Sequence, residues 1–372
     1  MSVFRLAMYP ASEGDTLMLT WGEAARPRHA LVDLGRTKNY RALKPLLKEI
    51  ANVDLFIITH IDADHIEGAV PLFKEAPPPF AARHVWFNGY AQLETANERL
   101  PPATRVTLGA GQAEKVTAGI VKSGWRWNDQ FASGVVSINS DEAKQPIDFD
   151  DGLSVTLLAP TDRKLADLMP VWADELKAAG LRTTDPDEVA EALAEGRVRL
   201  GGINVEDLAK ARFKEDATKP NGASIVFIAE YRGKRVLMGA DAHPGVMEAS
   251  LRALGASESN PYRLDCLKVS HHGSKANTSP GLLKVLDCTC FAFSTDGSHH
   301  GHPDPETIAR ILRADSVRKK TLIFNFRQDS TDVWDDDDLM ARWNYECFFP
   351  DDRRDGVEID LYPSLRRRSA RS

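Results

Sequence analysis

Residues Thr59-His60-Ile61-Asp62-Ala63-Asp64-His65 place two imidazoles and two carboxylates within six consecutive positions. They follow a nearly continuous apolar run over 53–59, the pattern of a strand buried on both faces. One such imidazole or carboxylate alone would read as a cap or a surface charge. Four at the end of a buried strand form a chelating loop, which requires a fold that holds a strand end rigidly and open to a ligand. Imidazole and carboxylate donors suit zinc, manganese or iron, and no cysteine lies near in sequence to select a softer ion.

Three more turns carry the same chemistry. Gly239-Ala240-Asp241-Ala242-His243 follows a strand pattern over 235–238 and projects Asp241 from its end. Lys268-Val269-Ser270-His271-His272-Gly273-Ser274-Lys275 joins a strand end to adjacent histidines, a glycine and a lysine, and His299-His300-Gly301-His302-Pro303 is a further imidazole-rich turn. Eight of the ten histidines fall in or beside these four segments, which points to one shared site.

The chain of 372 residues has a net charge of −7. Four arginines sit in its last seven residues, so the remainder is more acidic still. That balance argues against a protein that coats nucleic acid, because phosphate neutralisation needs a basic face. No apolar run approaches a membrane span and the first residues carry no signal-peptide pattern, so a cytoplasmic protein without membrane attachment is expected. Four cysteines without a Cys-x-x-Cys give no disulfide framework, in keeping with that compartment.

Strand patterns at 3–8, 16–20, 30–33, 53–59 and 84–87 alternate with helical spacing over 40–50 and 66–75. After a strand at 153–158, residues 165–179, 187–195 and 205–212 read as helices. Strands resume at 224–231 and 235–238, joined at Arg232-Gly233, and continue at 290–294, 321–324 and 357–361, with helices at 281–286 and 306–313. The expectation is an α/β (α+β) chain forming one domain over 1–372, with a helical insertion at 163–218 placed to cover the metal cleft as a lid, and a basic tail at 365–372. The run Asp335 to Asp338 reads as a solvated helix start.

These motifs resemble the metallo-β-lactamase superfamily, and most closely the branch that includes the hydrolase domain of bacterial DNA-uptake channels. Gly14-Asp15, Asp33-Leu34-Gly35, Asn221 to Ser224, the Gly-x-Asp turn at Asp241, His271-His272-Gly273-Ser274 and His302-Pro303 occur in that branch's order. The resemblance implies a four-layer αββα sandwich with one or two divalent ions at one edge. It places His60 and Asp62 on one metal, Asp64 and His65 on the other, Asp241 between them and a last ligand at His271-His272, with His271 as the metal ligand. Asp62 stands where the superfamily has histidine, which favours manganese or iron over zinc. The superfamily's third histidine has no counterpart, Asn221 occupying that region, so His302 is a candidate to complete the set.

The implied function is metal-dependent hydrolysis of a phosphodiester in a nucleic acid, nucleotide or phospholipid head group by a metal-bound hydroxide. Asp64, His272 and His302 are the candidate catalytic residues, the histidines delivering a proton to the leaving group. Asn221 and Lys275 are the candidate substrate contacts. The same fold also fits hydrolysis of a lactone, thioester or lactam, a di-iron redox site, or a non-catalytic metal-binding partner protein. Oligomeric state is not legible.

Overall fold

A computed structural model describes residues 1–106, 115–178, 203–352, 355–362 and 366–370. The chain is mixed α/β, built on two eight-stranded mixed sheets. The first runs, in spatial order, Arg366–Ala370, Gly356–Tyr362, Ser2–Met8, Leu17–Glu23, Arg26–Val32, Asn52–Ile57, Ala81–Trp86, Arg126–Trp127. Its pairings are antiparallel as far as Arg26–Val32 and parallel beyond. The second runs Tyr345–Phe348, Lys320–Phe324, Cys290–Phe293, Cys266–Lys268, Lys234–Met238, Val226–Tyr231, Leu153–Ala159, Ile147–Phe149. Here the first five strands are parallel and the rest antiparallel.

Alternating side chains explain the core. Phe4, Leu6, Trp21, Leu55 and Ile57 of the first sheet share one buried cluster with Val155, Phe227, Val236 and Met238 of the second. Truncating a fully buried ring such as Trp21 costs ~3–5 kcal/mol. A second cluster joins Leu31 and Phe56 to Tyr40, Leu43 and Leu47 of the helix Thr37–Ile50, and a third joins Leu237 and Leu267 to Met247, Ile308 and Leu312 of the helices Pro244–Ala253 and Pro305–Ala314. No helix among the described residues is long and apolar enough to cross a membrane.

Most expected elements stand within a few residues of their sequence positions. The expected helix over 66–75 is instead two short ones, Ala63–Ile66 and Ala69–Lys74, parted at Gly68. A Cβ at Gly68 would meet the Leu34 carbonyl at 2.3 Å, so close backbone packing breaks the helix there. The expected helix over 165–179 is interrupted by the turn Met169–Val171, where Pro170 removes a backbone donor. The expected helix at 187–195 lies outside the described residues, as does the stretch 179–202 of the insertion. The basic tail supplies an edge strand, with Arg367 paired to Glu346 and Arg368 to Glu358. Asp336 caps the helix Asp337–Trp343, accepting from the Leu339 amide at 2.8 Å, as the four-aspartate run suggested.

Candidate metal centre

All four motif turns leave the carboxyl ends of parallel strands, where open α/β sheets bind ligands. His60 to His65 follow Asn52–Ile57, Asp241 follows Lys234–Met238, and His271-His272 follow Cys266–Lys268. Asp33, Ala240, His271 and His272 have φ of 58°, 41°, 48° and 54°, a left-handed conformation costly for residues other than glycine. Such strain, of order 1–3 kcal/mol at each, gathers where geometry is imposed for function.

Four buried or half-buried imidazoles present the same face. His65 Nδ1 donates to Asp33 Oδ2 at 2.8 Å, and His272 Nδ1 to the Ser294 carbonyl at 2.8 Å. His271 Nδ1 donates to Asn277 Oδ1 at 2.9 Å. Thr59 gives its hydroxyl proton to Asp33 at 2.7 Å and therefore accepts from His60 Nδ1 at 3.0 Å. With every Nδ1 committed, the Nε2 lone pairs are left for a ligand, the arrangement of metal-binding histidines whose outer partners fix the tautomer.

These nitrogens converge on Asp241. Its carboxylate lies 3.5 Å from His65 Nε2, 3.6 Å from His272 Nε2, 3.8 Å from His271 Nε2 and 3.9 Å from His60 Nε2. Asp64 Oδ2 is 3.3 Å from His272 Nε2 and 3.7 Å from His65 Nε2, and those two nitrogens are 3.3 Å apart. Four donors held in a tetrahedron at about 2.1 Å from a cation are separated by roughly 3.4 Å, a spacing that Asp64, His65 and His272 match at 3.3 to 3.7 Å, with Asp241 reaching His65 through Oδ1 and His272 through Oδ2. His60 Nε2, 3.5 Å from Asp62 Oδ2, begins a looser set with Asp241 and His271. Buried His60 Nε2 and Asp241 Oδ1 have no hydrogen-bond partner, a costly state that a cation relieves. The donor set fits a divalent ion.

Electrostatics agree. Burial opposes charge at His65, yet the Asp241, Asp64 and Asp33 carboxylates hold its pKa well above the usual value. Burial likewise opposes charge at Asp241, and the neighbouring His272, His65 and His271 push it well below the carboxylate range; Asp64 is lowered against burial by His65 and His272. His272 is raised in the same way as His65, against burial, by Asp241 and Asp64, so without metal these two imidazoles favour the protonated form. Mn²⁺ uptake by chelator-stripped protein at pH 7 should release protons, and affinity should fall as pH falls and proton competition grows. Calorimetry in two buffers of different ionisation enthalpy checks this; identical heats would contradict it.

Not every expected residue joins the cluster. His272, expected to deliver a proton, belongs to the tightest donor set. His302 lies beside His271, ring centroids 5.3 Å apart, and like Asp62 and His271 is outside the groups of closely spaced donors among the described residues; burial and the flanking histidines hold its pKa well below the usual value. Asn221 stands behind His271 and donates to Asp216 at 2.6 Å, making it a support rather than a cleft contact. Lys275, an expected substrate contact, pairs its ammonium with Glu306 at 3.1 Å on the surface, 55% exposed, and does not line the cleft at the donor cluster.

A cleft of about 190 Å³ opens onto Asp62, Asp64, Asp241 and the two adjacent histidines. Two of its walls were not foreseen from the sequence. Arg36, held by Glu13 at 2.8 Å and Glu67 at 3.2 Å, brings a guanidinium to one side. Glu175, on the helix Trp172–Ala178 of the expected insertion, forms part of the rim. His299 and His300 line the cleft with His302. Asp216, from the other end of the insertion, accepts from Asn221 and from Asn277 at 3.1 Å and so supports His271 indirectly. A larger groove of about 1000 Å³ at the opposite strand ends has Arg28 matched to Asp54 and Asp151.

Asp33 anchors both His65 and, through Thr59, His60. Asp33→Asn should lower metal affinity ~10–100-fold without unfolding the protein, as loss of an outer partner does elsewhere. Metal titration beside a melting curve would show this, and parental affinity would refute it. Compared with known proteins, the chain matches no family model and no curated protein.

Proposed function

We propose that the chain is a metal-dependent phosphodiester hydrolase of metallo-β-lactamase type, its sheets and covering helices forming a four-layer αββα sandwich. The fold reading is supported by the core cluster shared between the sheets and by the helix-lined cluster on each sheet. The observation that carries the functional reading is the convergence of four Nε2 atoms on one buried carboxylate, with every Nδ1 already committed. Asp64, His65, His272 and Asp241 would hold one ion; His60, Asp62, His271 and Asp241 would hold a second.

A bound divalent cation supplies an activated water, with pKa lowered toward ~7, and withdraws charge from the scissile group. The chain's own groups do the rest. Arg36, fixed by two carboxylates, faces the anionic substrate from one wall. Neutral His302 and the adjacent His300 offer hydrogen bonds from the other. The cleft admits a small ester or the end of a chain rather than a long duplex, which agrees with the acidic surface charge.

Phosphate preference rests on the motif resemblance together with Arg36, which takes the part expected of Lys275. Arg36→Ala should therefore raise KM about tenfold, a loss of ~1.4 kcal/mol in binding, and Lys275→Ala should leave it unchanged. The reverse pattern would return the anion contact to Lys275. Turnover of bis(p-nitrophenyl) phosphate with Mn²⁺, but not of a chromogenic lactam, is the expected result for the parent. Lactam turnover alone would establish the acyl-hydrolase alternative, and neither activity with bound metal would establish a binding protein.

A further inference from the structure

Beneath the metal cluster lies an ion pair with no access to water. Lys268 Nζ donates to Asp15 Oδ2 at 2.6 Å, and the two side chains are 0% and 1% exposed. A second Lys268 bond goes to the Val269 carbonyl at 3.2 Å. Desolvating two charges offsets most of their attraction, so an apolar pair of equal volume would hold the core as well. The pair therefore calls for a role other than glue.

Its surroundings supply one. Asp15 belongs to the loop between Ser2–Met8 and Leu17–Glu23 of the first sheet, and Lys268 ends Cys266–Lys268 of the second. The Asp15 amide donates to the Asp64 carbonyl at 3.3 Å. A Cβ at Gly14 would lie 1.8 Å from that carbonyl oxygen, so only glycine lets the two loops approach. The Gly14 carbonyl accepts from Ser294 Oγ at 3.1 Å, and the Ser294 carbonyl is the acceptor that orients His272. Asp15 Oδ1, buried and without a hydrogen-bond partner, lies 3.8 Å from His272 Nδ1. One dipeptide thus touches Asp64 on the first sheet's loop and the support of His272 on the second, whose donor atoms face each other at 3.3 Å.

We infer that Gly14, Asp15 and Lys268 form a bracket that sets His272 against Asp64, positioning residues for the ion those two hold; the inference rests on the metal reading above. Lys268 fixes the Asp15 carboxylate, Asp15 fixes the loop at Asp64, and Gly14 carries the constraint through Ser294 to His272.

The test is a double variant, Asp15→Asn with Lys268→Met, which removes both charges at nearly constant volume. It should unfold at the parent's temperature. Calorimetric Mn²⁺ titration should show at least one of the parent's binding steps weakened ~10–100-fold, the size of outer-partner effects. The visible spectrum of the Co²⁺-loaded variant should change with the ligand geometry, a response that packing alone would not produce. Parental Mn²⁺ affinity with a parental Co²⁺ spectrum would overturn the bracket and leave the metal reading standing. Should the double variant fail to fold, Ser294→Ala, which cuts the Gly14 link and keeps the ion pair, decides: weakened Mn²⁺ binding supports the bracket and unchanged binding overturns it. A parent that takes up no Mn²⁺ overturns the metal reading and the bracket with it.

Discussion

Asp241→Ala is expected to fold, to lose metal from both donor sets, and to turn over phosphodiester at least ~10³-fold more slowly, equivalent to ~4 kcal/mol of barrier. Among the described residues Asp241 is the one carboxylate within 4 Å of all four Nε2 atoms, so none of the others takes its place between the sets. Its side chain fills no apolar core, so the fold does not depend on it. Metal at a hundred times its Kd stabilises a protein by ~2.7 kcal/mol, so a chelator should lower the parent's melting temperature by several degrees. It should leave the variant's unchanged. Metal content and turnover equal to the parent's would show that the convergence on Asp241 serves another purpose.

Asp62→His should change which metal binds. Asp62 Oδ2 sits 3.5 Å from His60 Nε2 and the side chain is 35% exposed, at the mouth of the looser donor set. Replacing a hard carboxylate by an imidazole there should raise the preference for zinc over manganese about tenfold, ~1.4 kcal/mol. Competition between the two ions at equal concentration reads the ratio directly. An unmoved ratio would mean that Asp62 does not reach the metal.

What was legible in the sequence had a local signature. The loop from His60 to His65 announces itself because its donors are consecutive, and Asp241 and the His271-His272 pair because each follows a short strand pattern. The groups that orient them were not assigned roles, because their partners are remote: Asp15 meets Lys268 across 253 positions and Asp33 meets His65 across 32. Arg36 and Glu175 look like ordinary helix-terminal and helix-face charges until the fold turns them toward one cleft. Proximity in sequence to His272 likewise says nothing of the partner of Lys275, Glu306. The same holds for the fold. Apolar alternation reveals the strands of the core, whereas the edge strand Arg366–Ala370, three consecutive arginines at its start, forms because Glu346 and Glu358 await them.

The most direct measurement is an anomalous-difference map from crystals grown with Mn²⁺. A peak is expected about 2.0–2.3 Å from Asp64 Oδ2, His65 Nε2, His272 Nε2 and an Asp241 oxygen. A second peak beside His60 and Asp62 would mark the looser set. Density for manganese only at surface carboxylates, with the four Nε2 atoms bare, would contradict the central claim.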